Sequence, residues 1–176
     1  PGKVSYGSYG VGSAGHLHSA YLSQSRDMDM VHAAYKGEAQ MVQDLLGGQV
    51  AWGIASLGTL APHLESGRLR ALASIADKRP ANLPNVPTMA EAGFPDPELK
   101  SIGWIGMLAP AGVPTPVLER LEKEARAAAQ TTAMKARFQV YGADPMGTGS
   151  AEFRRDFESS APVVERMVKA SGARIE

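Results

Sequence analysis

Val4-Ser5-Tyr6-Gly7-Ser8-Tyr9-Gly10-Val11-Gly12-Ser13-Ala14-Gly15-His16 is the stretch whose reading decides the fold. Residues 3–6 read as a short strand that runs into glycines and small hydroxyl side chains. Leu17, Ala20 and Tyr21, at 3–4 spacing, then predict a helix over 16–25. The same succession repeats down the chain. Residues 28–35 read as a strand, Lys36-Gly37 as a turn and 38–46 as a helix. Met41, Val42, Leu45 and Leu46 form the stripe of that helix, and Gly47-Gly48 stop it. A third strand is expected over 49–55, a short helix over 58–65 closed by Gly67, and a fourth strand over 69–75. Strands alternating with helices through short loops imply an α/β fold with a largely parallel sheet. Ligands of such sheets sit at the carboxyl ends of the strands. That rule singles out the loops 7–16, 35–37 and 55–59.

After residue 75 the character changes. A polar loop carries Pro80, Pro84 and Pro87, a short helix is expected over 88–92, and a strand containing Trp104 over 101–108. Ala109-Pro110-Ala111-Gly112-Val113-Pro114 reads as a stiff connector. Thr115 is placed to cap a helix to about 130 with Pro116 at its first position. Further helices are expected over 133–141 and from Ser150 to about 172, the last kinked or split at Pro162. Residues 142–147 have room for a short strand.

Composition excludes several function classes. The 176 residues are 44% hydrophobic, with 18 basic and 18 acidic side chains, so there is no basic bias of the kind nucleic acid or an anionic membrane surface selects. No apolar run approaches the length of a membrane span. The chain has no cysteine, which removes thiol catalysis, disulfides and zinc–thiolate sites. Pro1-Gly2-Lys3 leads directly into a strand, which reads as a start inside a longer chain.

Gly10-Val11-Gly12-Ser13-Ala14-Gly15 matches G-x-G-x-x-G, the dinucleotide fingerprint, in a fitting strand-to-helix context. A dinucleotide site also needs an acidic residue at the end of the second strand, about 20 residues on. Here that strand ends Ala33-Ala34-Tyr35-Lys36, and Asp27 and Asp29 stand at its beginning. A nucleophile elbow, G-x-S-x-G, is a near miss, with Tyr6 two before Ser8 and Val11 two before Ser13. The third reading is a carboxylate cradle: Ser8 and Ser13 hydroxyls, and N–H groups of Ser13, Ala14, Gly15 and His16 at the positive end of a helix. A capped turn with no ligand remains open beside it. Elsewhere, His16-x-His18 is a poor metal pair because residues two apart face different ways on a helix. No carboxylate pair suggests acid–base catalysis. Trp52 and Trp104 read as packing, and the mixed charges of 119–126 as the exposed face of a helix.

Six blocks, in order, carry a family resemblance. They are Pro1-Gly2-Lys3-Val4-Ser5-Tyr6-Gly7-Ser8, Tyr35-Lys36-Gly37, Leu45-Leu46-Gly47-Gly48-Gln49-Val50, Gly67-Arg68-Leu69-Arg70-Ala71-Leu72-Ala73, Leu83-Pro84-Asn85-Val86-Pro87-Thr88-Met89-Ala90-Glu91-Ala92-Gly93 and Trp104-Ile105-Gly106-Met107-Leu108-Ala109-Pro110-Ala111-Gly112. Together they resemble the Bug-type solute receptors of tripartite tricarboxylate transporters. The resemblance implies a type II periplasmic-binding-protein-like fold whose two lobes close on a small carboxylic acid. The implied division is a second ligand-binding lobe over 1–103, then a crossover strand and helices over 104–176 that pack on a first lobe mostly outside this sequence. The implied ligand contacts are Ser8, Gly10, Gly12, Ser13, Ala14, Gly15, His16, Tyr35, Lys36, Gly37 and Ser56, with no cofactor. By the resemblance, many relatives carry Asp near Ala55-Ser56, and some members use that carboxylate for a ligand amino group. The uncharged Ala55 points instead to a di- or tricarboxylate or an aromatic acid. The expected function is non-catalytic capture of that acid in the periplasm for membrane transporter subunits. The competing reading is a cytosolic enzyme that uses the Gly10, Gly12 and Gly15 turn for NAD(P). Two further expectations concern the chain alone: ligand binding about millimolar or weaker, and dimerisation or segment exchange through residues after about 104.

Overall fold

Ser5–Ser8 (β1) is the middle strand of a three-stranded parallel sheet. Val31–Ala34 (β2) pairs on one side, Ser5 opposite Val31 and Ser8 opposite Ala34. Trp52–Gly53 (β3) pairs on the other, opposite Tyr6 and Gly7. Between them run the helices Ala14–Ser25 (α1) and Glu38–Leu46 (α2), and Leu57–Glu65 (α3) follows β3. This computed structural model describes residues 2–101, 104–141 and 143–173.

Side chains alternate across β1, and each face meets a different helix. Tyr6 and Ser8 share the face on which Tyr6 stacks on His32 and His32 on His16 of α1. Gly7 faces the other way, against α2. A Cβ there would lie 2.7 Å from Met41 Cγ, and one on Gly53 would lie 3.2 Å from Met41 Sδ. Met41 is wholly buried, so the two strand glycines are the space its side chain fills. Tyr6, Leu17, Ala20, Met41, Val42 and Val50 make the core around the sheet. The sheet is thus covered by α1 on one face and α2 on the other, the α/β arrangement that alternation predicts.

Four expected strands differ from what forms. The third shortens from 49–55 to Trp52–Gly53. Residues 69–75 make only an isolated bridge, Ser74 to Thr88, in which Ser74 N–H donates to Pro87 O and Met89 N–H to Ser74 O; Pro87 has no N–H to carry the pairing further back. Residues 88–92 are turns, not a helix. The strand expected over 101–108 lies partly outside the described residues, at 102 and 103. Residues 104–108 have no ladder partner among the described residues, and Ile105, Met107 and Leu108 stand 85%, 73% and 79% exposed. Residues 143–147 form no strand, and 142 lies outside the described residues.

The chain divides into two compact units, Pro1–Ile102 with Pro162–Glu176, and Gly103–Ala161. In the first, a polar network binds the segment before residue 100 and the last turns of the Ser150–Ser171 helix (α6) to α1. Arg26 and Tyr21 both bond the Asp96 carboxylate, at 2.7 and 3.1 Å. Arg166 reaches the buried Glu98 at 2.7 Å, and His18 Nδ1–H donates to Glu98 O at 2.7 Å. In the second unit, Thr115–Ala129 (α4) has Pro114 and not Thr115 as its cap residue, without a side-chain bond. Thr132–Val140 (α5) is capped by Thr131. Ser150 opens α6 by donating its N–H and hydroxyl to Glu122, and Phe153 and Phe157 meet Trp104 edge-on. Pro162 does not split α6, which runs continuously to Ser171.

One core residue is mismatched. Ser19, on α1, is fully buried and its hydroxyl has no partner among the described residues. Ser19→Ala removes an orphaned polar atom and improves helix propensity. It is expected to raise stability by about 1 kcal/mol, measured by urea denaturation.

Candidate functional site

Because the three strands are parallel, the starts of α1, α2 and α3 all lie at one edge of the sheet, beyond Ser8, Ala34 and Gly53. Each helix brings the positive end of its dipole and its unbonded first N–H groups to that edge.

The Gly-rich turn is held mainly by its own groups. Gly10 O accepts from Ser13 Oγ at 2.7 Å, Ser8 Oγ at 3.1 Å and Ser13 N–H at 3.2 Å. Ser13 caps α1, its hydroxyl accepting from His16 N–H at 3.2 Å. Gly12 N–H donates to His16 Nδ1 at 3.1 Å, which puts the imidazole proton on Nε2. Gly15 N–H donates to the Tyr9 hydroxyl at 3.1 Å. A Cβ on Gly15 would lie 2.7 Å from the Tyr9 ring and 3.0 Å from Ile54 O, so glycine there is what lets α1 approach the end of β3. Ala14 N–H is left without an acceptor among the described residues.

Two imidazoles brace the turn from below. His32 Nε2 lies 2.7 Å from Ser8 Oγ, and the His16 and His32 rings are parallel within 11° at 4.0 Å. Tyr6 stacks on His32, and the Trp52 ring lies 5.5 Å from Tyr6, tilted by 37°. The Ser8 proton can serve Gly10 O or His32 Nε2, not both. Burial lowers the proton affinity of both imidazoles. For His32, burial and then the adjacent His16 bring the value down to about 4.

The α2 and α3 starts are organised differently. Gly37 precedes α2 with φ +137° and no side-chain cap, so the N–H groups of Glu38, Ala39 and Gln40 have no acceptor among the described residues. Lys36 is exposed, with its N–H on Gln40 Oε1, and Tyr35 Oη donates to Asp44 at 2.8 Å. At α3, the Glu38 side chain spans both helix starts. Its Oε1 accepts from Ser56 N–H at 3.1 Å, and its Oε2 from Ser56 Oγ and Thr59 Oγ1, each at 2.6 Å.

The residues expected at the site therefore take distinct places. Ser8, Gly10, Gly12, Ser13, Ala14, Gly15 and His16 are together in the α1 turn, and Gly37 and Ser56 sit at the neighbouring helix starts on the same edge. Tyr35 and Lys36 are tied to α2 side chains. Sequence reasoning did not find Tyr9, His32, Glu38 or Thr59. An acidic residue in the first turn of α2 and the Ser56-x-x-Thr59 spacing were visible as signals. The role of His32 depends on register, Tyr6 opposite His32, which no local pattern gives. The nucleotide alternative is not supported. The turn N–H groups at Gly12, Gly15 and His16, which a pyrophosphate would need, are already bonded to His16, Tyr9 and Ser13.

Comparison with known proteins agrees. The tripartite tricarboxylate transporter family receptor pattern matches residues 1–172. BugT of Bordetella pertussis is 34% identical over 83% of this chain and 44% of its own length. The solved structure of Rpa4515 from R. palustris with adipate is 31% identical, superposes with a TM-score of 0.85, and is matched over 98% of this chain and 57% of its own. The periplasmic binding protein BugD is 28% identical with a TM-score of 0.81, matched over 99% of this chain and 58% of its own. The chain thus spans about half the length of these relatives.

Proposed function

The chain belongs to the tripartite tricarboxylate transporter receptor family, and we propose that its sheet edge is one half of a site for a small carboxylate. The observation that carries this is the convergence of three helix starts with open N–H groups, Ala14 on α1 and Glu38 to Gln40 on α2 foremost. Hydrogen bonds to a charged group contribute ~1.5–3 kcal/mol each, and helix starts add ~0.3–1 kcal/mol. The Ala14 N–H anchors one carboxylate oxygen, and the Gly12 and Ser13 bonds keep the turn open around it. The adipate found in Rpa4515 supports an aliphatic diacid, and the uncharged Ala55 favours a ligand without an amino group. The role is capture without chemistry: a periplasmic receptor delivers the acid to membrane transporter subunits.

In this reading residues 1–103 are the second lobe, the last turns of α6 stay with it through the Arg166–Glu98 bond, and the rest of 104–176 belongs with the first. The exposed Ile105, Met107 and Leu108 are surface that the rest of the receptor covers. In the chain alone the same surface favours pairing with a second copy.

Adipate titrated into the 176-residue chain, followed by amide NMR, tests the proposal. Saturable shifts at Ala14 and at residues 38–40 are expected, with a dissociation constant of about 1 mM or weaker, since half a cleft makes two or three bonds. Binding of NAD(H) or NADP(H) with no response to a panel of carboxylates would overturn it.

A further inference from the structure

The geometry assigns Glu38 a specificity role in the carboxylate site: it is a fixed negative charge, held at the α3 start, that bars a second anionic group from that end. This inference rests on the proposed carboxylate site and names which part of it refuses charge.

Three features of Glu38 support it. Its two oxygens together take the Ser56 N–H and the Ser56 and Thr59 hydroxyls, the donors that an incoming carboxylate would use at β3. All of its partners are neutral, and no ion pair offsets its charge among the described residues. Its charge also reaches the α1 turn. Burial raises the Tyr9 phenol, the Gly15 N–H bond opposes this, and Glu38 raises it further. Tyr9 in turn accepts from Gly15, next to the open Ala14 N–H. The helix-start field at this edge is therefore uneven. It is positive at α1, but at α3 a resident carboxylate offsets it. A ligand held by its carboxylate at Ala14 is accepted with an uncharged hydrogen-bonding group towards α3 and disfavoured with an anion there.

Held by two hydroxyls and one N–H, the Glu38 side chain also fixes the spacing of the α2 and α3 starts, so a purely structural role needs a separate readout. Acetate serves as the anion probe and methylammonium as the cation probe, each titrated into the 176-residue chain and read at the amides of Ala14, Leu57, Gly58 and Thr59. In the unsubstituted chain, acetate is expected to move Ala14 and leave 57–59 in place, while methylammonium moves 57–59. Glu38→Gln keeps the side-chain size and an accepting oxygen. It is expected to raise acetate occupancy at Leu57 and Gly58 by at least about tenfold, from removal of one like charge at close range. Acetate shifting 57–59 in the unsubstituted chain as much as methylammonium does would overturn the role, even if the variant fails to fold. So would a folded Glu38→Gln with no new acetate response. Silence at Ala14 in both proteins counts against the carboxylate site itself, and a new response at 57–58 in the variant would still sustain the role of Glu38.

Discussion

Gly15→Ala is expected to lose about 1–3 kcal/mol of stability and the response to carboxylates together. The added Cβ meets two neighbours at once. The Tyr9 ring is at 2.7 Å, and the carbonyl oxygen of Ile54, which belongs to the backbone leaving β3, is at 3.0 Å. A flexible side-chain tip would yield cheaply, but neither neighbour is one. If Tyr9 moves, its hydroxyl leaves Gly15 N–H. If α1 moves, Ala14 is withdrawn from the edge where the other helix starts converge. Urea denaturation gives the stability term, and adipate-induced shifts at Ala14 give the binding term. A variant that retains both would show that α1 need not approach β3 so closely.

Acid is expected to destabilise the same turn as pH falls from 6.5 towards about 4. The folded protein holds His32 at about 4 against an ordinary 6.5, chiefly through burial, and lowers His16 and His18 in the same direction, again by burial. Between those values the unfolded chain binds more protons than the folded one, so stability rises with pH. The contribution is fully present above pH 6.5 and is lost as pH falls towards about 4. With allowance for solvent around a half-buried ring, the loss is about 1–2 kcal/mol over that window. The structural consequence is specific. Protonated Nδ1 of His16 cannot accept from Gly12 N–H, and a second positive charge on His32 would sit one ring spacing away. Asp96 and Glu98 act in a different range. Arg26 stabilises the first as a carboxylate. For the second, burial opposes ionisation and Arg166 overcomes it. Their share is present above the usual carboxylate values and disappears only as pH drops through the lowered ones. Denaturation curves from pH 7 to 4 should therefore slope in the unsubstituted protein and flatten in His32→Gln. An unchanged slope in the variant would assign the acid sensitivity elsewhere.

Alternation of strands with helices, the Gly47-Gly48 stop and the apolar stripe of α2 were sufficient for the α/β class, because local spacing fixes which face each element must bury. The fourth strand was not legible in the same way. A ladder needs donors on its neighbour to carry it further, and Pro87 supplies none. The α1 turn shows the same division. Its glycines and serines marked it as a place where backbone and anion can meet, and the family blocks tied that to a carboxylate receptor. Which donors remain free was not readable from the sequence, because their competitors come from elsewhere: Tyr9 by a turn's curvature, His32 by strand register, and Glu38 by reaching across to α3. The sequence by itself determined the fold class and marked the edge and the receptor family from which the proposed site follows. Only the tertiary structure decided that most of the turn's donors are spent internally, that Ala14 is left open, and that a resident carboxylate stands at the third helix. Hydrogen-bond capacity is finite, so which groups remain for a ligand is settled only once every internal partner has been placed.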